Sequence, residues 1–132
     1  MIDLSSLEKA ITSLTRAVVR SQASLDDSEL RDAVIQRFEY TYELCWKMLK
    51  RTLEKESPTP AQIDSLSYRD LLRDAAEKGM ITDVAAWFVY RDHRNLTSHI
   101  YDEDKAKVVF KTACNFLNTA TELLRNLQSR SS

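Results

Sequence analysis

The chain is poor in backbone breakers. It has one glycine, Gly79, and two prolines, Pro58 and Pro60, in 132 residues. A β-rich fold needs many more turn residues, so this scarcity points to an all-helical protein. Cysteine is equally scarce. Cys45 and Cys114 both fall within helical patterns, where reduced, buried thiols are expected rather than a disulfide or a metal site. No apolar run approaches the roughly 18 residues that span a bilayer, so no membrane segment is expected. The opening MIDLSSLEKA has no basic stretch followed by an apolar one. A signal peptide is therefore not expected, and the cytoplasm is the expected compartment. An excess of one charge sign is missing too: 19 Lys and Arg face 20 Asp and Glu, for a net charge of −1. That excludes a molecule that captures nucleic acid by its overall charge. RNA binding would need a local patch, or one made by assembly.

What is present is the balance of a soluble globular domain, 43% hydrophobic and 30% charged. The length suits one core. No repeat or low-complexity tract divides it, so residues 1–132 are expected to form a single domain with its core over about residues 4–127.

Helical periodicity runs along the chain. Leu4, Leu7, Ile11, Leu14 and Val18 form one apolar stripe on a helix of about 18 residues. Ser21 to Ser28 is polar and reads as a connection. A longer helix, about Glu29 to Glu56, carries two apolar rows. Val34, Phe38, Thr41, Cys45 and Met48 make one; Ile35, Tyr42, Trp46, Leu49 and Leu53 make the other. Two rows imply neighbours on two sides and a central position. Charged Arg37, Glu39, Glu43 and Lys47 lie between the rows. They read as a solvated face, with a dimer surface or a wall of an RNA cleft as the alternative.

Ser57-Pro58-Thr59-Pro60 ends this helix. Ser67 is placed to cap a third helix that closes at Gly79. Thr82 or Asp83 caps a fourth, carrying Val84, Trp87, Phe88 and Tyr90 and running to about Asn95. Three acids, Asp102, Glu103 and Asp104, start the last helix, where they suit the N-terminal dipole. The tail from Gln128 to Ser132 is expected to fray. Short connections favour an antiparallel up-and-down bundle of four or five helices.

Between the last two long helices the chain reads Arg94-Asn95-Leu96-Thr97-Ser98-His99-Ile100-Tyr101. Arginine stabilises phosphate charge, and histidine moves protons near neutral pH. Arg94 and His99 are five residues apart, about 140° of rotation on an unbroken helix. Their cooperation requires the backbone to leave α-helical geometry, which Asn95, Thr97 and Ser98 favour. The matching chemistry is RNA cleavage by its own 2′-hydroxyl, which needs a base, an acid and charge stabilisation but no metal or other cofactor. One chain offers one suitable histidine, so a two-fold homodimer would complete the site. A plainer reading stands beside this one. Arg94 would then serve the carbonyl end of its helix, His99 would be a loop residue, and Tyr101 would be a staple on the last helix. His93 reads as a surface helix residue, and Arg91 and Asp92 as a local pair.

The octapeptide resembles the R-x4-6-H motif of the HEPN superfamily and, more narrowly, the R-x4-H-x-Y motif of the HepT toxins. The segment from Asp32 to Lys47, DAVIQRFEYTYELCWK, is similar to a helical signature of the nucleotidyltransferase substrate-binding protein branch of that superfamily. The segment from Tyr68 to Gly79, YRDLLRDAAEKG, is similar to that branch as well. The resemblance implies a four- or five-helix HEPN-like bundle that forms a homodimer, with an MNT-type nucleotidyltransferase as partner chain. It implies a metal-independent endoribonuclease toxin acting on RNA, with Arg94 and His99 catalytic and Asn95 supporting them. It also implies that the partner is an antitoxin that transfers AMP to Tyr101. The alternative is a non-catalytic substrate-binding subunit of a two-component nucleotidyltransferase. The chain has no Gly-Ser followed by paired aspartates of its own, so it is not expected to transfer nucleotides alone.

Overall fold

The computed structural model describes residues 2–131, and of Ser131 only the backbone. Six α-helices and one 3-10 turn account for the described fold: α1 (Ser5–Gln22), α2 (Ser28–Glu56), α3 (Pro60–Asp64), α4 (Tyr68–Glu77), α5 (Val84–Arg94) and α6 (Glu103–Ser131), with the 3-10 turn at Thr97–His99. No strand occurs among these residues, and no helix among them is long and apolar enough to cross a membrane. The all-helical bundle read from the sequence is the one observed.

Helix boundaries follow local chemistry. Asp27 caps α2 by accepting from the backbone N–H of Glu29 and Leu30. Ser67 caps α4 through Asp70, and Asp83, rather than Thr82, caps α5 through Ala86. Gly79 adopts φ 75° and closes α4: its N–H meets the Ala76 carbonyl, and the Met80 N–H reaches back to Ala75. The carbonyl groups left open at the helix end are thereby satisfied, and Met80 is delivered into the core.

Two expectations need correction. The short α3 is an added element. Pro60 opens it, with the fixed φ that suits a first helical position, and Ile63 is its one buried residue. A single apolar side chain gives no period to read. The tail is also less free than expected: residues 128–131 continue α6. Arg130 explains why, because its guanidinium spans Glu56 at 2.6 and 2.9 Å and the Lys78 carbonyl at 3.0 Å. Ser132 lies outside the described residues.

α2 is the central helix, packing on α1 and α6 and touching α3, α4 and α5. Its two apolar rows are buried as their spacing required, except Trp46, which is only partly buried. The end of the bundle near α5 is built from aromatic rings. Phe116 of α6 meets Phe38, Trp87 and Tyr90 edge-on, at 5.2, 5.7 and 4.9 Å between centroids. Tyr42 lies 6.1 Å from both Trp87 and Phe116. Edge-to-face packing of this kind adds to the burial of area. It fixes the relative placement of α2, α5 and α6, and so the platform beneath the motif.

Candidate functional site

Trp87 and Tyr90 anchor α5 in the core. Arg94 follows Trp87 by seven residues, so it continues the core-facing stripe into the last turn. At that point the stripe leaves the core, and the guanidinium reaches α2. Arg94 Nε lies 2.7 Å from Glu43 Oε1, with both side chains partly exposed, 33% and 40%. The distance makes an ion pair. The angle does not make a hydrogen bond, so the buried Nε has no hydrogen-bond partner. Glu43 thus holds the guanidinium mainly by charge.

The α-helix stops at Arg94, and its hydrogen bonds tighten. Asn95 N–H still reaches Arg91 O, but Leu96 bonds His93 O and His99 bonds Leu96 O, each three residues back. Thr97 Oγ1 donates to the Arg94 carbonyl at 2.8 Å, the side-chain competition that its residue type brings to a helix end. His99 closes the turn, exposed to solvent. Asp102 then caps α6 by accepting from Asp104 and Lys105. The whole excursion from α5 to α6 takes eight residues, 95–102.

His99 and Tyr101 are brought together. His99 Nδ1 is 3.3 Å from the Tyr101 hydroxyl, and the ring centroids are 6.0 Å apart. Tyr101 is 83% exposed and is not a staple on α6. No hydrogen bond joins Arg94 to His99 among the described residues. Arg94 is tied to α2, and His99 to the turn and Tyr101.

Asn95 is exposed and lines a cavity of about 330 Å³ with Tyr42, Glu43, Trp46, Tyr68, Arg91 and Arg94. The Tyr42 side chain is 2% exposed and its hydroxyl has no hydrogen-bond partner. Burial pushes that phenol well above its ordinary pKa, against the opposing pull of Arg91. A cavity of about 370 Å³ lies apart from these residues, beside the α1–α2 connection, where Arg31 of α2 pairs with Glu103 of α6.

Two neighbours differ from expectation. His93 is not a free surface residue: its Nδ1 is hydrogen-bonded to Thr112 Oγ1 on α6, and it helps fix α5. Arg91 makes no ion pair with Asp92. Its guanidinium stacks on Tyr68, 4.1 Å from the ring centroid. The sequence marked Tyr42 and Trp46 only as parts of an apolar row, and Glu43 as part of a solvated face with a dimer surface or a wall of an RNA cleft as the alternative. The one local signal was Arg94 itself, a charge at a position that the Trp87 stripe assigns to the interior. Among the described residues no group of His, Cys, Asp or Glu is placed to hold a metal ion. Cys45 is buried and Cys114 partly buried, both as free thiols.

The bundle has close counterparts among known proteins. The sequence model of the family described as "Nucleotidyltransferase substrate binding protein like" matches residues 2–129. A Haemophilus influenzae protein named "Probable ribonuclease HepT" is 36% identical over 137 residues, 98% of this chain and 94% of that one. A solved Haemophilus influenzae structure, described as the fold of a substrate binding domain of a nucleotidyltransferase, superposes with a TM-score of 0.90 at 36% identity. It covers 96% of this chain and 99% of that one. A crystal structure from Thermus thermophilus superposes with a TM-score of 0.75 at 31% identity, over 92% of this chain and 98% of that one. The chain belongs to the nucleotidyltransferase substrate binding protein like family.

Proposed function

We propose that this protein is a metal-independent endoribonuclease toxin that acts as a homodimer in the cytoplasm. A partner nucleotidyltransferase of the MNT type neutralises it by transferring AMP to Tyr101. The observation that carries the reading is the arrangement at the α5–α6 connection: Arg94 held by Glu43, and His99 exposed within 3.3 Å of the Tyr101 hydroxyl. The 36% identity to a protein named as a probable ribonuclease supports the same reading.

In this mechanism the RNA 2′-hydroxyl attacks the adjacent phosphorus and the 5′-oxygen leaves. His99 of one protomer takes the 2′-proton, and His99 of the other donates a proton to the leaving oxygen. Arg94 binds the phosphate, with Asn95 beside it, and meets the extra negative charge of the transition state. AMP transfer forms a bond from the Tyr101 oxygen to the α-phosphorus of ATP and releases pyrophosphate. The added phosphate places negative charge beside His99, where it repels RNA.

The test is expression of the chain alone, with growth and cleavage of purified RNA followed in EDTA. The wild type should arrest growth and cut RNA, and His99→Ala should do neither. An inert wild type, or a fully active alanine variant, refutes the reading. Co-expression with the partner should add the mass of AMP to the wild type and none to Tyr101→Phe.

A second reading is a non-catalytic subunit that presents substrate to a nucleotidyltransferase. The description of the Haemophilus influenzae neighbour favours it. Nucleotide transfer to another acceptor that requires this chain, with no RNA cleavage, would establish it.

A further inference from the structure

A row of arginines and aromatic rings runs along α4 and α5 toward Arg94. Arg73 lies 5.6 Å from the Phe88 ring centroid, and Arg69 lies 4.7 Å from Phe88 and 5.5 Å from Tyr68. Arg91 stands over Tyr68 at 4.1 Å. Tyr68 and Phe88 meet edge-on at 6.3 Å. Arg91 and Tyr68 then line the cavity that also holds Arg94.

The rings beneath these arginines are what set them apart. Elsewhere Arg31, Lys50, Lys78 and Arg130 are each matched by a carboxylate, while Arg16, Arg20, Arg51 and Arg125 have neither an ion pair nor a ring among the described residues. Neither Arg69 nor Arg91 has an ion pair among the described residues. Arg73 has a 3.5 Å contact with Asp70, both side chains 59% exposed, where water screens the attraction. Rings hold a guanidinium by its face and leave its N–H edge free. Arginines prepared in this way retain their charge and their donors for an anion. A chain of net charge −1 has thereby gathered two arginines without an ion pair, Arg69 and Arg91, beside the exposed Arg73–Asp70 pair on one face next to its candidate site.

We propose that this arginine–aromatic row is the path of a single-stranded RNA. Its phosphates lie on Arg69, Arg73 and Arg91, and one base enters the cavity beside Arg94. The unpartnered Tyr42 hydroxyl, on a side chain 2% exposed at the cavity wall, gives that base a hydrogen bond. A backbone-tracking cationic groove with aromatic walls is a sequence-tolerant way to hold a single strand. This inference takes RNA as the substrate from the proposed function, and names where the strand lies.

The experiment measures binding of a short fluorescein-labelled single-stranded RNA by anisotropy, in a His99→Ala background that prevents cutting, and cleavage in the active chain. Arg69→Gln and Arg91→Gln should each weaken binding, and each should lower the slope of log affinity against log salt by about 0.7. Tyr42→Phe should weaken RNA binding while leaving the free protein as stable as the wild type or more so, because it removes an orphaned hydroxyl. Wild-type cleavage with all three variants binding and cutting normally overturns the path and leaves the ribonuclease reading intact. Binding that depends on the arginine row, without wild-type cleavage, supports the path and removes the ribonuclease reading. If the arginine variants instead lose the homodimer or the partner nucleotidyltransferase, with RNA binding unchanged, the face is a protein interface and the proposal is overturned. Both arginine changes are at side chains outside the buried core, so the variants are expected to fold.

Discussion

Replacing Glu43 by glutamine isolates the ion pair that touches the motif arginine. The carboxylate is 40% exposed and Arg94 33% exposed, so water screens the pair and its worth to stability is about 0.2–1 kcal/mol. Unfolding entropy near 2.1 cal/mol/K per residue, over 132 residues, gives roughly 0.28 kcal/mol/K. A loss of 1 kcal/mol therefore lowers Tm by about 4 °C, and Glu43→Gln should lower it by less than that. Its effect on cleavage should be larger. Arg94 Nε has no hydrogen bond to fix it, so Glu43 supplies its direction, and a displacement near 1 Å costs as much as about 100-fold in rate. On the proposed ribonuclease function, in which Arg94 meets transition-state charge, single-turnover cleavage should fall about 10- to 100-fold with little change in KM. Thermal melts and single-turnover cleavage on the same preparation give both quantities. Cleavage within twofold of the wild type would show that Glu43 is only a surface partner. A Tm loss well beyond 4 °C that tracks the rate loss would show a structural role instead.

Other consequences follow from the core, the tail and the thiols. Trp87→Ala empties a side chain 1% exposed among Tyr42, Tyr90 and Phe116, and should cost about 3–5 kcal/mol in urea unfolding. Glu56 is held below its ordinary pKa chiefly by its hydrogen bonds to Arg130. A depressed carboxylate stabilises the fold above its unfolded pKa and loses that contribution as pH falls through its folded value. Glu56→Gln should therefore lower stability at neutral pH and flatten the acid limb of the stability profile, as read by urea midpoints at successive pH values. Burial raises the pKa of both thiols, with Cys45 fully enclosed and Cys114 only partly buried. Ellman's reagent should modify Cys114 first, and Cys45 only at the rate of opening or unfolding.

The sequence determined the elements other than the short α3, because their causes are local. One glycine and two prolines left helix as the only economical backbone, and periodicity marked the buried faces. The caps at Asp27, Ser67, Asp83 and Asp102 lie within three residues of the groups they satisfy, and the turn at Gly79 within five. The candidate residues Arg94, Asn95, His99 and Tyr101 were legible for the same reason: they are neighbours in the chain. The required departure from α-helical geometry after Arg94 was legible too, though only the structure gave its form, a tightening into 3-10 hydrogen bonds.

What tertiary structure alone decided is everything that couples distant segments. Glu43 looked like one charge on a solvated face, and becomes the partner of Arg94 only when α2 and α5 pack. Arg91 looked like the mate of Asp92, and turns instead to Tyr68, more than twenty positions away in the sequence. His93 finds Thr112, and Arg130 pins the tail through Glu56 and Lys78. Helical period tells each side chain which way it faces. Which partner it meets depends on how the aromatic core sets the helices against one another, and no local pattern encodes that.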